Sequence, residues 1–366
     1  MKADCRYSVR HPIVTEDLDQ ILSVPLPWEV FSGTSVLISG ASGLLGSYCC
    51  EVLLRLNEIN RLAAPVKVIA VSRNLQSSAR RFSAYAGRPD LVLLQGDVCT
   101  GLPAWDEAAD YVLHGASPAS PTAMAADLLG TFEANVSGTR NMLKLAQAKQ
   151  ARKFLFLSSG AVYGNMPPEV HSIGENDFGA LDPLTARAAY DEGKRAGETL
   201  CWLYADKFGL SASSARIAHT YGPGLKADDG RSFADFITAA AEGRPLVLNS
   251  DGSAIRYFCY LSDTTAGLFT ILLLGESGQA YNLGSATECC SIRELAQLIT
   301  DLFPERGLRI TFPEQVPTTR QAGVTSRQIP IPFNTSKLKA LGWMDRIKLA
   351  PGLRRTILSY EPRETE

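Results

Sequence analysis

Tyr190 and Lys194 are the residues whose types and spacing most directly suggest chemistry. They stand four positions apart in an amphipathic segment, so a helix there places both side chains on one face. An ammonium beside a phenol lowers the pKa of the phenol, which makes tyrosinate accessible near neutral pH. Such a tyrosine takes a proton from a substrate hydroxyl while a hydride leaves the same carbon. This spacing also occurs by chance on solvated helix faces, so it needs independent support.

Ser159 provides that support. It follows the apolar run 153–157, which predicts a buried strand. Hydroxyls at the carboxyl end of a parallel strand point into the crevice where such sheets bind ligands. Ser159 would donate to the reacting oxygen and shorten the proton path to Tyr190, and the alternative is a serine that only forms a turn. We therefore predict a catalytic set of Ser159, Tyr190 and Lys194.

A glycine-rich turn, GASGLLG at 40–46, directly follows the apolar strand 35–39 and opens an apolar helix. Glycines allow a tight turn and a close approach of the backbone to a pyrophosphate. The helix N-terminus adds free N–H groups and the positive end of its dipole. The pattern predicts a bound dinucleotide, NAD or NADP. The predicted contacts in this turn are Gly40, Ser42, Gly43, Leu44, Leu45 and Gly46.

The end of the second strand, predicted at 66–71, bears on the choice between NAD and NADP. An acid there would bind both ribose hydroxyls and favour NAD. The chain instead has Ser72 and Arg73. Arg73 would pair with the 2′-phosphate of NADP, or it is simply solvated. Asp97, after the third strand, would reach the adenine amino group or cap a turn, so the cofactor stays open between NAD and NADP.

Short apolar runs alternate with amphipathic segments along most of the chain, which predicts a parallel sheet covered on both faces. The predicted class is α/β, a Rossmann-type doubly wound parallel sheet with a smaller C-terminal α/β lobe. We expect an N-terminal extension at 1–33 with no assigned role. A dinucleotide-binding domain at 34–222 is completed by about 257–283. Residues 223–256 and 284–366 would form the lobe that binds substrate. The predicted strands are 35–39, 66–71, 91–94, 111–114, 153–157 and 212–217, and the predicted helices include 44–56, 132–148 and 189–208.

Composition excludes several classes of protein. The formal net charge of −2 offers no basic field for nucleic acid. Apolar stretches are too short for a membrane span, and residues 1–12 lack the apolar core of a secretory signal. The eight cysteines form no C-x-x-C pair, so we expect no metal site and reduced thiols. These features together predict a cytoplasmic protein.

From Ser35 to Trp343 the chain resembles the extended short-chain dehydrogenase/reductase family, which acts on nucleotide sugars. The resemblance rests on the glycine turn, the catalytic set, the helix segment 135–139 and the segment 216–224. Segments 114–121, 190–195, 228–231 and 256–260 look like those of UDP-glucuronate decarboxylases. The resemblance implies a UDP-sugar as the most favoured substrate and a homodimer formed through a four-helix bundle of the helices near 132–148 and 189–208.

The resemblance also implies further binding residues. Arg231 and Arg256 would grip the diphosphate or uridine, with Arg327 as a third candidate, because a guanidinium binds phosphate oxygens in pairs. His219 stands where many relatives have asparagine near the diphosphate. The predicted cofactor contacts beyond the glycine turn are Ser72, Arg73, Asp97, Val98, His114, Ala116, Ser117, Asn135, Tyr190, Lys194, Ile217 and His219. The predicted substrate contacts are Ser117, Ser159, Gly160, Ala161, His219, Arg231, Arg256 and Arg327.

One departure from these relatives bears on the reaction. The decarboxylases carry a glutamate, and the 4,6-dehydratases an Asp-Glu pair, where this chain has Gly160 and Ala161. Alanine cannot shuttle a proton. Small neutral residues there look more like epimerases, which oxidise C4, let the ketone rotate and reduce it again on one bound cofactor. We therefore expect a nucleotide-sugar epimerase.

Three alternatives stay open. A decarboxylase or dehydratase would take its acid or base elsewhere, with Asp191 or Glu192 as candidates on another helix face. A net NADP-dependent keto-sugar reductase would use Arg73. A catalytically silent binding subunit is disfavoured by the intact catalytic set.

Overall fold

A computed structural model describes residues 8–103, 105–312 and 331–361. Its strands are β1 (Ser35–Ser39), β2 (Lys67–Ser72), β3 (Leu91–Gln95), β4 (Tyr111–His114), β5 (Lys153–Ser159), β6 (Ala212–Ile217), β7 (His219–Tyr221), β8 (Leu246–Val247), β9 (Ile255–Tyr260), β10 (Ala280–Leu283), β11 (Cys289–Ser291) and β12 (Ile310–Thr311). Its α-helices are α1 (Pro12–Leu22), α2 (Leu44–Glu58), α3 (Leu75–Arg81), α4 (Pro121–Ala126), α5 (Leu128–Glu133), α6 (Thr139–Ala148), α7 (Ala188–Phe208), α8 (Ser232–Ala241), α9 (Leu261–Leu274), α10 (Ile292–Leu302), α11 (Ser336–Lys339) and α12 (Leu349–Leu358).

The main sheet is parallel and runs in the order β3-β2-β1-β4-β5-β6-β10. Strands such as β1 and β5 are buried along nearly their whole length, because helices cover both faces of the sheet. The strand order reverses between β1 and β4. Open sheets of this kind bind ligands at such a switch point, at the carboxyl ends of the strands. The predicted doubly wound α/β fold is confirmed.

The smaller lobe has its own sheets and its own hydrophobic cluster. Strands β7, β9 and β11 form one sheet, and β8 pairs with β12 in another. Helices α8, α10 and α12 pack together around buried side chains that include Phe236, Leu295 and Leu353. The chain returns to the main sheet with α9 and β10. Within the described ranges, no helix has both the length and the apolar character needed to cross a bilayer.

Residues 8–33 pack into the core, whereas the sequence had suggested a separate appendage. Helix α1 buries its apolar face against α2 and α9. Trp28 and Phe31 are fully buried in the same hydrophobic cluster as β1. Asp17 is also fully buried and accepts hydrogen bonds from Tyr48 and Tyr260. The segment is therefore part of the folded unit, because its apolar residues would otherwise face water.

The helix predicted at 132–148 is interrupted. Helix α5 ends at Glu133, and a π-helical turn at Ala134–Gly138 joins it to α6. The turn contains Asn135, which is fully buried and whose Nδ2 donates to the Thr131 carbonyl oxygen at 2.9 Å. Single π-helical turns are rare in proteins, and those that occur are often located at functional sites. Apolar periodicity cannot reveal such a turn, because one extra residue barely changes the pattern.

Candidate active site

The glycine turn lies at the switch point of the main sheet. Gly40 has φ of 71°, a conformation that favours glycine. A Cβ on Gly40 would lie 2.7 Å from the main-chain carbonyl carbon of Gly115, which follows β4. A Cβ on Gly46 would collide with the carbonyl oxygen of Gly40. Both glycines are therefore needed for the turn to pack closely between β1 and β4.

Helix α2 begins at this turn with a bare N-terminus. Gly43 is its N-cap, and no side chain caps the first N–H groups of this fifteen-residue helix. Leu44 and Leu45 form its first turn, with Ser42 just before the cap. Free N–H groups and the helix dipole favour an anion at this place. The glycine turn and the N-terminus of α2 thus fit the pyrophosphate of a dinucleotide.

The residues at the predicted adenosine end differ in exposure. Ser72 is buried, and its hydroxyl donates to the Asn74 carbonyl oxygen at 3.1 Å, so it is turned inward. Arg73 is exposed. The Asp97 carboxylate accepts from the Cys99 N–H at 2.9 Å, which is the turn-capping alternative, and Val98 is buried. Arg73 is therefore the side chain of this group that is most available to a ligand.

His114 does not face the crevice, although the resemblance made it a cofactor contact. Its Nδ1 lies 2.7 Å from the Ser39 hydroxyl, and its Nε2 lies 3.2 Å from the Thr139 hydroxyl. Burial, followed by the charge of Lys194, lowers the pKa of His114 to about 3. The imidazole is thus a neutral internal group between β1 and α6. We correct the prediction to a contact that only its main chain would make.

The predicted catalytic residues come together at the carboxyl end of β5. Tyr190 is in the first turn of α7, and its side chain is hydrogen-bonded to that of Ser159. The ammonium of Lys194 is buried and donates to the carbonyl oxygen of Leu157 at 2.7 Å. Helix α7 and strand β5 therefore hold the two hydroxyls side by side.

The ionisation of this pair differs from expectation. Burial raises the pKa of Tyr190 above its usual value. The strongest opposing influences are the Ser159 hydrogen bond and the charges of Arg187 and Arg231, and not Lys194 as its spacing suggested. Burial also lowers the pKa of Lys194 to about 7. The expected lowering by Lys194 is therefore wrong as the main effect, because desolvation outweighs the pairing of these groups.

The two residues that follow Ser159 in the loop after β5 carry no ionisable side chain. Gly160 and Ala161 start a short 3₁₀ turn, which the Ser159 hydroxyl caps by accepting from the Ala161 N–H at 3.2 Å. The nearest carboxylates along α7 have other partners. Asp191 pairs with Arg187 at 2.8 Å, and Glu192 lies 3.9 Å from Arg195. Neither carboxylate replaces an acid in the loop.

The charges of three guanidiniums act on His219, at the start of β7. Burial and the charges of Arg256, Arg231 and Arg187 lower its pKa to about 3. Arg231 pairs with Asp229, and Arg256 donates to the Ile255 carbonyl oxygen at 2.7 Å. Burial alone lowers the pKa of Arg256, which fits a cation whose counter-charge comes from a ligand. Arg327 lies outside the described residues.

Arg187 was not among the site residues predicted from the sequence. It precedes Tyr190 by three positions, so the two side chains share a helix face, and its guanidinium lies 5.5 Å from the Tyr190 ring centre. That spacing was the available signal. The remaining predicted contacts, Ala116, Ser117, Asn135 and Ile217, lie at or near the carboxyl ends of β4 and β6 or beneath α7. The Oδ1 of Asn135 has no hydrogen-bond partner within the described part of the chain.

A buried polar network packs beneath the site, and the sequence analysis did not predict it. Ser158 donates to the Glu198 carboxylate at 2.6 Å, and Arg216 pairs with the same carboxylate at 2.7 Å. Arg216 also donates to the hydroxyl of Tyr163 at 3.0 Å. The network joins β5, β6 and α7. It therefore fixes the strand end that carries Ser159.

Comparisons with known proteins agree with this arrangement. The model of the NAD dependent epimerase/dehydratase family matches residues 36–284. UDP-glucuronic acid decarboxylase 5 of Arabidopsis thaliana is 34% identical over 322 residues, which are 88% of each chain. UDP-glucuronic acid decarboxylase 1 of Danio rerio is 33% identical over 333 residues, which are 90% of this chain and 73% of that protein.

Solved structures share the fold at lower identity. An epimerase of Methanothermobacter thermautotrophicus has a TM-score of 0.73 at 20% identity, covering 96% of both chains. The UDP-glucose 4-epimerase of Thermotoga maritima, solved with UDP-glucose, has a TM-score of 0.71 at 18% identity. That match covers 89% of this chain and 98% of the epimerase.

Proposed function

The chain belongs to the NAD-dependent epimerase/dehydratase family, and on that premise we propose that it is an epimerase of a nucleotide sugar, acting by transient oxidation at C4. The observation that carries this choice is the pairing of Ser159 with Tyr190 next to Gly160 and Ala161. Oxidation and reduction need the two hydroxyls. Elimination of water also needs an acid and a base, and neither Gly160 nor Ala161 can supply one.

The proposed mechanism assigns a task to each residue. The C4 hydroxyl gives its proton to Tyr190 as hydride leaves the same carbon. Burial raises the pKa of the phenol, and the Ser159 hydrogen bond and the charges of Arg187 and Arg231 oppose that rise. A bound nicotinamide dinucleotide supplies the acceptor and donor of hydride. With a dinucleotide bound to supply hydride to the other face, the 4-keto sugar would turn within the site and Tyr190 would return the proton to its C4 oxygen. Arg231 and Arg256 hold the diphosphate, which keeps the intermediate from leaving.

Further parts of the proposal concern the binding partners. The domain at 34–222 holds the dinucleotide, and the lobe holds a UDP-sugar against its arginines. We propose NADP over NAD, because Arg73 is exposed where an acid would select NAD. The support for UDP is the kinship with UDP-sugar enzymes. His219, whose imidazole is neutral because its pKa is lowered, serves as a wall of the diphosphate site.

A homodimer is part of the same proposal. Leu129 is 73% exposed, Trp202 52% and Phe208 57%, all on the helices of the expected bundle, α5 and α7. Exposed large apolar side chains are a feature of protein interfaces. Light scattering tests it: wild-type protein would have twice the mass of the chain, and Trp202→Glu would shift it towards the monomer. A wild-type monomer at micromolar concentration would contradict the dimer.

A second candidate, a UDP-glucuronate decarboxylase, is favoured by the named relatives and by the convergence of Arg187, Arg231 and Arg256. A uronate oxidised at C4 is a β-keto acid, which loses carbon dioxide without a dedicated acid. A guanidinium beyond those that hold the diphosphate would bind the carboxylate of the uronate.

One experiment separates the candidates. The purified protein is incubated with UDP-glucose, UDP-glucuronate or UDP-N-acetylglucosamine, without added cofactor, and followed by NMR. An inverted C4 centre with constant absorbance at 340 nm supports the epimerase. A UDP-pentose with release of carbon dioxide supports the decarboxylase. Turnover only with added NADPH would indicate a net reductase, and no turnover with a dinucleotide still bound would indicate a silent subunit.

A further inference from the structure

Phe333 lies at the same sheet edge as the catalytic hydroxyls, although the sequence assigned it no role. A Cβ built on Gly160, just after β5, would collide with Cζ of the Phe333 ring. A Cβ on Gly284, just after β10, would lie 3.6 Å from its Cδ2. The ring therefore lies across the carboxyl ends of strands on the β5–β10 side of the sheet. Gly160, which the ring covers, directly follows Ser159 in the loop after β5.

The ring is held in place from several sides. The Ile173 N–H donates to the Pro332 carbonyl oxygen at 2.9 Å, and the Asn334 N–H donates to the Ile173 carbonyl oxygen at 2.8 Å. The Tyr163 ring meets that of Phe333 edge-on, at 5.6 Å between ring centres. Main-chain bonds on both flanks and an aromatic neighbour thus fix its position. The side chain remains only partly buried.

Gly160 and Phe333 form a matched pair. The glycine has an ordinary φ, so it is needed for space and not for an unusual backbone. Where the decarboxylases and dehydratases place polar or acidic side chains near this loop, the present chain has bare backbone covered by an aromatic ring. The wall beside Ser159 is therefore apolar.

We propose that Phe333 is a specificity-determining residue that packs on a C–H face of the sugar ring. This inference rests on the proposed function, since it needs a nucleotide sugar in the site. Ligand sites combine apolar and aromatic walls with a few polar groups that fix orientation. Arg231 and Arg256 supply the polar grip at the diphosphate end. Phe333 supplies the apolar wall at the sugar end and keeps water from the carbon that reacts at Ser159 and Tyr190.

The test compares binding of UDP-glucose with binding of UDP by calorimetry, using the full chain with its co-purified dinucleotide. Phe333→Ala should raise the Kd of UDP-glucose about ten-fold, which corresponds to about 1.4 kcal/mol. The Kd of UDP, which lacks the sugar, should change less than two-fold. The Kd of UDP-glucose for Phe333→Leu should lie between the values for the wild type and for Phe333→Ala. Because leucine keeps an apolar side chain at this position, this variant distinguishes loss of the ring from a folding defect. Phe312→Ala, an exposed phenylalanine in the smaller lobe, is the matched control and should change neither Kd.

Gly160→Ala tests the pairing. It should weaken UDP-glucose binding in the wild-type background and have little effect when Phe333 is already alanine, because no ring is left to collide with. An equal rise of both Kd values, or no rise for UDP-glucose, would overturn the role of Phe333 while leaving the proposed function standing. A wild-type protein that binds UDP but no nucleotide sugar would overturn the proposed function and this inference together.

Discussion

The ammonium of Lys194 donates to the carbonyl oxygen of Leu157 at 2.7 Å. Leu157 precedes Ser159 by two residues, and Lys194 follows Tyr190 by about one helical turn. This one bond therefore ties the start of α7 to the end of β5. The distance between the two hydroxyls is set by main-chain elements and does not depend on mobile loops.

Tyr190→Phe should lower turnover of the nucleotide sugar at least a hundred-fold and leave the dinucleotide bound. The change removes only the hydroxyl that meets Ser159, and acid–base groups contribute about 10²–10⁴-fold to rate. Turnover is followed by NMR, and the bound nucleotide by its absorbance after release. Tyr204→Phe, on the same helix and packed on Phe208, should keep normal activity. Activity surviving the loss of the Tyr190 hydroxyl would contradict the assigned chemistry.

Lys194 should make stability depend on pH. Burial lowers its pKa to about 7 in the folded chain, below the usual lysine value of 10.5. A group whose pKa is lower in the folded state than in the unfolded state contributes stability at pH values above its unfolded pKa. That contribution is lost as the pH falls through its folded pKa. Between pH 8 and 6, protein stripped of dinucleotide should lose about 1 kcal/mol relative to Lys194→Met.

Urea unfolding of wild type and Lys194→Met across that range measures this difference. Lys153→Met is the control, since Lys153 is at the start of β5, away from the site, and is only partly buried. A pH-independent difference between wild type and Lys194→Met would mean that the Lys194 ammonium keeps its charge throughout, and that the hydrogen bond to Leu157 outweighs burial.

Arg73 should decide which dinucleotide binds. If it holds the 2′-phosphate, Arg73→Gln should raise the Kd of NADP about ten- to a hundred-fold, as expected for loss of a charged hydrogen bond, and leave the Kd of NAD unchanged. Fluorescence titration of protein stripped of nucleotide measures both constants. Arg80→Gln, an exposed arginine in α3, serves as control. Tighter binding of NAD than of NADP by the wild type would remove the proposed preference.

Asp17 should be a main contributor to stability. Its buried carboxylate pairs with Arg355 at 2.8 Å and accepts from Tyr48 and Tyr260, which joins α1, α2, β9 and α12. Asp17→Ala leaves Arg355 without its buried partner, so the free energy of unfolding should fall by about 3 kcal/mol. Asp19→Ala on the same helix breaks only an exposed pair with Arg55 and should cost less than about 1 kcal/mol. Equal losses in thermal or urea unfolding would contradict the special role of Asp17.

The sheet, the glycine turn and the helix face shared by Tyr190 and Lys194 were predictable because their signals are local. Strands β4 and β6 have the bounds that their apolar runs predicted, and Gly40 begins the expected turn. The spacing of Tyr190 and Lys194 required one shared helix face. Such features depend on residues adjacent in the chain, so a sequence contains them in full.

Burial was the property that local patterns misjudged. The sequence did not show that α1 packs into the core, that the His114 ring turns inward, or that desolvation raises the pKa of Tyr190. Each of these depends on groups from distant segments. A spacing rule that considers Tyr190 and Lys194 alone omits the surrounding protein that removes water from both.

By itself, the amino-acid sequence determined which chemical groups are present: a glycine-rich turn at 40–46, the hydroxyls of Ser159 and Tyr190, and no acid at 160–161. Tertiary structure alone decided which groups meet. It brings Arg187, Arg231 and Arg256 to His219, and it lays Phe333 over Gly160. The physical reason is that these contacts join the sheet to the smaller lobe and to the C-terminal segment. Their geometry follows from the packing of whole elements and not from spacing along the chain.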